Sequence, residues 1–130
     1  MSEERLTERK CQACEGGVAP LERGEADKLL ARVHDDWSIS DDGRVITRTF
    51  KFRNYYHTIA FVNALAWIAN REDHHPDLEV GYNRCVVNFS THSIGGLSDN
   101  DFICAAKADP YRDGTTHVIF EPLDFIARLA

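Results

Sequence analysis

Apolar positions recur along the chain with two different periods, and the switches between them predict the order of elements. Residues 23–34, RGEADKLLARVH, place Ala26, Leu29, Leu30 and Val33 at helical spacing. Residues 36–39 and 44–52 read instead as strands around Asp41-Asp42-Gly43, an Asp-Gly step between apolar runs that signals a hairpin. In the second strand Val45, Thr47, Thr49 and Lys51 face one way, and Ile46, Arg48, Phe50 and Phe52 the other. Asn54 is placed to cap a helix over 55–71, where Tyr55, Ile59, Val62, Ala66 and Ala69 recur at three or four residues and Phe61, Leu65 and Ile68 widen the stripe. Pro76 disfavours helical geometry in the residue before it, so this helix must end by His75. Residues 78–82 and 85–91 then read as two strands joined by a tight turn at Asn83-Arg84. Ser98 and Asp101 resemble a capping box opening a helix that runs to about Ala108 and is stopped by Pro110. Further on, residues 116–120 predict a strand and residues 123–129 a short helix.

The order is helix, two strands, helix, two strands, helix. Hairpins impose antiparallel pairing, and the apolar faces of the helices need a sheet to cover. The expected fold is α+β: a four-stranded antiparallel sheet with helices packed on one face, in two layers. Residues 1–22 are polar, contain Gly16, Gly17 and Pro20, and are expected to form an extended or mobile lead-in.

A chain of 130 residues with 43% hydrophobic and 28% charged residues suits one globular domain with its own core. The net charge of −6 disfavours binding to nucleic-acid backbones. Arg44, Arg48, Lys51 and Arg53 lie close in sequence, but strand alternation divides them between two faces. No apolar run approaches the roughly 20 residues that span a bilayer, and the charged N-terminus has no apolar h-region, so no membrane association and a cytoplasmic location are expected. Cys11 and Cys14 form a C-x-x-C without the second ligand pair of the usual zinc site. A reducing cytosol disfavours a disulfide between them. Cys85 and Cys104 sit in apolar contexts and read as core, and Trp37 and Trp67 as core or interface.

Three histidines, His74, His75 and His92, fall within nineteen residues, on either side of the second hairpin. His74 and His75 precede its first strand and His92 follows its second, so antiparallel pairing brings them to one end of the sheet. Clustered imidazoles can donate and accept protons in one turnover. Adjacent side chains diverge, so His74 and His75 are expected to have unequal roles, one ring inside the site and one on its wall. Asp101 reads as a helix cap that could also orient a histidine. Asp73 reads as a solvated loop acid, with orienting a nearby histidine as its second reading. His34, His57 and His117 lack such neighbours. A three-imidazole zinc site is the second reading, although the H-x-x-x-H spacing is missing and adjacent histidines share one ion awkwardly.

His74-His75-Pro76, five residues, Tyr82, nine residues, His92, eight residues and Asp101 together resemble the signature of the pterin-4a-carbinolamine dehydratase family. The run THSIGGLSDNDFICAAK (Thr91–Lys107) is similar to the family's stretch around its third histidine, and CQACEGGVAPL (Cys11–Leu21) resembles bacterial members. The resemblance divides the chain into a lead-in (1–22), a dehydratase-like domain (23–109) and a C-terminal extension (110–130). It implies dehydration of a 4a-hydroxytetrahydropterin to the quinonoid dihydropterin, which recycles the cofactor of aromatic amino acid hydroxylases. It implies a homodimer or homotetramer, with no metal and no organic cofactor, the pterin being the substrate. By the resemblance His74, His75, His92 and Asp101 carry catalysis, His74 and His92 as the acid/base pair. His75, Asp73, Thr91 and Ser93 hold the substrate. One departure is Asn70, where the family usually has an ionisable residue. The alternative implied by the same resemblance is a non-catalytic member, an assembly factor for Rubisco or a coactivator that stabilises dimers of a homeodomain transcription factor.

Overall fold

A computed structural model describes residues 5–13 and 18–114. Cys14, and with it the C-x-x-C, lies outside the described residues, as do His117 and the strand and helix expected after residue 115. The described elements are α1 (Arg23–Leu30), β1 (Ser38–Ile39), β2 (Ile46–Lys51), α2 (Tyr55–Glu72), β3 (Asp77–Val80), β4 (Arg84–Phe89) and α3 (Asp99–Ala108), with single 3-10 turns at Leu6–Glu8, His92–Ile94 and Asp109–Tyr111.

The strands form one antiparallel sheet in the order β1-β2-β4-β3. Both expected hairpins are present, with Ile39 opposite Ile46 and Val80 opposite Cys85. β4 also pairs along the whole of β2, from Ile46 opposite Phe89 to Lys51 opposite Arg84. β4 thus lies between β2 and β3, which run parallel to each other and are linked by α2. This is a split βαβ arrangement. Inward positions of the two central strands (Ile46, Phe50, Cys85, Val87 and Phe89) are at most 2% exposed and meet Phe61, Leu65 and Phe102 from the helices. The Phe50 and Phe61 rings lie 4.4 Å apart. Arg48 shares this inward face, is 5% exposed, and directs Nη1 to Asp109 Oδ1 at 2.8 Å.

Local differences from the sequence reading have physical causes. α1 stops at Leu30 because the next amides, Arg32 and Val33, bond three residues back and tighten the chain into turns. Its cap is a reciprocal pair of glutamates, Glu22 and Glu25, rather than a short hydroxyl or amide. Asn54 caps α2 as expected, accepting from His57 N at 2.9 Å. The buried stripe of α2, however, runs through Thr58, Phe61, Leu65, Ile68 and Glu72, leaving Tyr55 and Ala66 exposed. The larger side chains set the inward direction because they remove more apolar area from water.

The lead-in is not simply extended. It makes a 3-10 turn, buries Leu6 in the core and lies against α3. Arg9 Nη2 reaches Asp99 Oδ2 at 3.0 Å, and Cys11 N donates to Glu72 Oε1 at 2.9 Å.

Candidate active site

The site forms where three elements end together. Asp73 closes α2 in a left-handed conformation (φ 50°, ψ 44°), and its amide bonds Ala69 O. This turns the chain out of the helix within one residue, so His74 is directed back toward α3. β4 delivers Ser90 to Ser93 beside it. Two adjacent glycines then fold the loop. Gly95 (φ +70°) ends the 3-10 turn in a conformation that L side chains rarely adopt. A Cβ on Gly96 would lie only 2.7 Å from Pro20 Cβ. The chain closes through Thr91 N donating to Gly96 O at 2.8 Å, and Ser98 starts α3.

A cavity of about 330 Å³ opens at this junction. Asp73, His74, His75, Thr91, His92 and Ser93 all line it. Gln12, Ala13, Ser90 and Asn100 complete the lining, and nothing in the sequence had marked them for this role. Gln12 and Asn100 stand 88 positions apart, and no local period or motif connects residues at that separation.

The three histidines differ in environment. The His74 side chain is 10% exposed, stacks on Phe89 at 6.0 Å, and places Nε2 2.6 Å from Asp101 Oδ1. A carboxylate only accepts hydrogen bonds, so this contact puts the proton on Nε2 and leaves Nδ1 as the basic nitrogen of the neutral ring. His75 is exposed, with Nε2 3.3 Å from Asn70 Oδ1. His92 is exposed too, its side chain 76% so, with Nε2 3.7 Å from Asp77 Oδ2. One ring inside and one on the wall is thus the arrangement of the adjacent pair.

Asp101 is 0% exposed and is bonded both at the start of α3 and to His74. Oδ1 takes His74, while Oδ2 accepts from Ser98 N at 2.9 Å and from Thr91 Oγ1 at 2.8 Å. The Thr91 hydroxyl in turn pairs with Ser98 Oγ at 2.7 Å. One buried carboxylate therefore caps α3, holds the end of β4 and orients a histidine. Among the described residues no group of three His, Cys, Asp or Glu side chains is placed to hold a metal ion. Cys85 and Cys104 are buried as expected; burial pushes the Cys85 thiol up to about 11. A hydrogen bond with Cys11, then burial, push the Cys104 thiol well above its ordinary range.

Behind the site, Glu72 joins α2, α3 and the lead-in, accepting from Lys107 Nζ at 2.8 Å as well as from Cys11 N. Burial alone would raise its carboxyl. The bonds from Lys107 and Cys11, with the charges of Lys107 and Lys10, outweigh burial and hold it below its ordinary value of 4.5. A depressed carboxyl contributes stability that is complete above the unfolded value and is lost as pH falls through the folded one. The stability advantage of wild type over Glu72→Gln is therefore expected to be constant at neutral pH and to shrink below about 4.5. Denaturant melts of both proteins across that range check this; a gap that holds or widens on acidification would contradict it.

Comparison with known proteins identifies the family of the chain. A family model described as pterin 4 alpha carbinolamine dehydratase covers residues 19–111. The chain belongs to this dehydratase family. It is 62% identical over 104 residues to a Nitrosomonas europaea protein named "Putative pterin-4-alpha-carbinolamine dehydratase", covering 80% of this chain and 90% of that one. A Legionella pneumophila protein of the same name is 54% identical, with 80% and 92% covered. Among solved structures, the transcriptional coactivator/pterin dehydratase from Brucella melitensis superposes with a TM-score of 0.68 at 32% identity, covering 72% of this chain and 98% of that one. A pterin dehydratase-like protein identified as a RuBisCO assembly factor in the alpha-carboxysome shares the fold, with a TM-score of 0.53 at 21% identity and coverage of 61% and 92%. The dehydratase family model begins at residue 19, after the lead-in residues that line the cavity. No helix among the described residues is long and apolar enough to cross a membrane.

Proposed function

We propose that this protein dehydrates a 4a-hydroxytetrahydropterin to the quinonoid dihydropterin by histidine acid/base catalysis. The observation that carries the proposal is the buried His74–Asp101 pair, at 2.6 Å, on a cavity that His75 and His92 also line. The family's identity supports the substrate class.

In the reaction the N5 proton leaves to a base, and its electron pair forms the C4a=N5 bond. The C4a–O bond breaks as an acid protonates the departing hydroxyl, and water is released. Proton transfers alone balance this step, so it needs no redox partner or cofactor. His74 is assigned the base, through the Nδ1 that its bond to Asp101 leaves unprotonated. His92 is assigned the acid: its exposure lets the ring regain a proton from solvent between turnovers. His75 flanks the ring of the substrate, its tautomer set by Asn70 Oδ1 rather than by an ionised partner. Asp73, Thr91 and Ser93 belong to the binding wall, with the Thr91 hydroxyl turned to Asp101. The same reading carries with it a homo-oligomer and a hydroxylase that generates the carbinolamine.

The test is the decay of enzymatically generated 4a-hydroxytetrahydropterin with and without the protein, in the presence of chelator. Catalytic acceleration is expected. No acceleration by folded protein would sink the proposal. It would favour a partner-binding role; the Brucella melitensis relative is described as a transcriptional coactivator beside pterin dehydratase.

A further inference from the structure

We infer that the lead-in is a substrate-binding wall of the active site and that Asn100 is the positioning residue that holds it there. The inference deepens the dehydratase reading and rests on it.

Gln12 and Ala13 line the same cavity as the three histidines, although they precede the segment that the family model covers. Their place is set by backbone bonds rather than by their own side chains. Asn100, 6% exposed on the first turn of α3, accepts from Gln12 N at 3.0 Å and donates from Nδ2 to Gln12 O at 2.6 Å. A side-chain amide that takes both the donor and the acceptor of one peptide residue fixes that residue's orientation as well as its distance. The neighbouring bond, Cys11 N to Glu72 Oε1 at 2.9 Å, fixes the preceding residue. Further back, the Arg9–Asp99 pair and buried Leu6 tie the segment to α3 and the core. Four anchors over seven residues describe a built wall. Asn100 itself faces the cavity, so the clamp and the site share one residue.

The wall is neutral, an amide and a methyl group, set in a cavity otherwise supplied by imidazoles, hydroxyls and Asp73. A flat, uncharged heterocycle with an amide edge suits such a slot: the rings supply the proton chemistry and the lead-in limits the width. Contacts of this kind act on ground state and transition state alike, so their loss should appear in KM rather than in kcat.

Ala13→Trp tests the wall and Asn100→Ala the clamp. Ala13 is exposed, so bulk added there narrows the cavity without disturbing the core. Each variant is compared with wild type for KM and kcat with the 4a-carbinolamine, and for fluorescence-detected binding of 7,8-dihydrobiopterin. Both variants are expected to raise KM and weaken dihydrobiopterin binding by about tenfold, with kcat falling less than about threefold. If wild type binds and Ala13→Trp binds equally well, the wall is wrong, whatever the fate of Asn100→Ala. If wild type binds without turnover and both variants bind more weakly, the wall stands and the dehydratase reading fails. Wild type that neither binds nor turns over pterin overturns both.

Discussion

Replacing His74 by glutamine is expected to lower kcat/KM for the 4a-carbinolamine by about 10²–10⁴-fold while the protein stays folded. Glutamine is chosen because its Nε2 can still donate to Asp101 Oδ1, so the buried carboxylate keeps a partner. Alanine would leave that oxygen unsatisfied in a site with 0% exposure and mix a stability loss with the chemical one. What glutamine cannot do is titrate: its amide has no basic nitrogen in the place of Nδ1 to take a proton and return it. The loss should therefore appear in kcat, with dihydropterin binding largely kept, since the wall residues are untouched. Turnover within a few-fold of wild type would remove His74 from the base role and shift the assignment toward His75 or His92.

The second large effect is expected from Asp101→Asn, and its direction follows from how the two oxygens are used. Among the described residues Oδ2 accepts two bonds, from Ser98 N and Thr91 Oγ1, whereas Oδ1 takes only His74. An asparagine satisfies the cap best with its oxygen in the Oδ2 place, which turns its NH₂ toward His74. The imidazole must then accept at Nε2 and carry its proton on Nδ1, the nitrogen assigned to abstract a proton. Activity is expected to fall by about 10²-fold or more, with a stability loss of only about 1–2 kcal/mol. Asp101→Ala, which abandons all three bonds, should cost about 2–4 kcal/mol. The ¹⁵N shifts of the His74 ring distinguish the tautomers directly. An Asp101→Asn protein with wild-type turnover and an unchanged tautomer would show that Asp101 is only a cap.

Much of this site was legible in the sequence because its parts lie close to turns whose geometry is local. Pro76 ends α2 near His74, a turn at residues 81–83, one position before the expected Asn83-Arg84, folds β4 back along β3, and the register sets Asp77 opposite Asn88. Those facts suffice to bring His92 toward His74 and His75. The Ser98–Asp101 spacing likewise announces a cap, and the observed box has the expected members. Edge strands were harder. β3 has only Leu78 partly buried, so alternation between apolar and polar positions is weak and the strand ends at Val80, not at the Tyr82 that the pattern suggests. Tyr82 in fact lies in the exposed turn, stacked on Tyr55.

By itself, then, the sequence determined the kinds and order of the helices and strands among the described residues, their hairpin pairing and the placing of three imidazoles on one cavity. Each follows from periods and turns that act over a few residues. Only the tertiary structure decided that β4 inserts between β2 and β3, and that one carboxylate serves the cap, Thr91 and His74 together. It also decided that Glu72 is buried against Lys107 and that Gln12 reaches the cavity on the arm of Asn100. Those outcomes depend on the fit of buried surfaces and on the need of buried polar groups for partners. Gln12 and Asn100, for example, are 88 positions apart, beyond the reach of any local pattern.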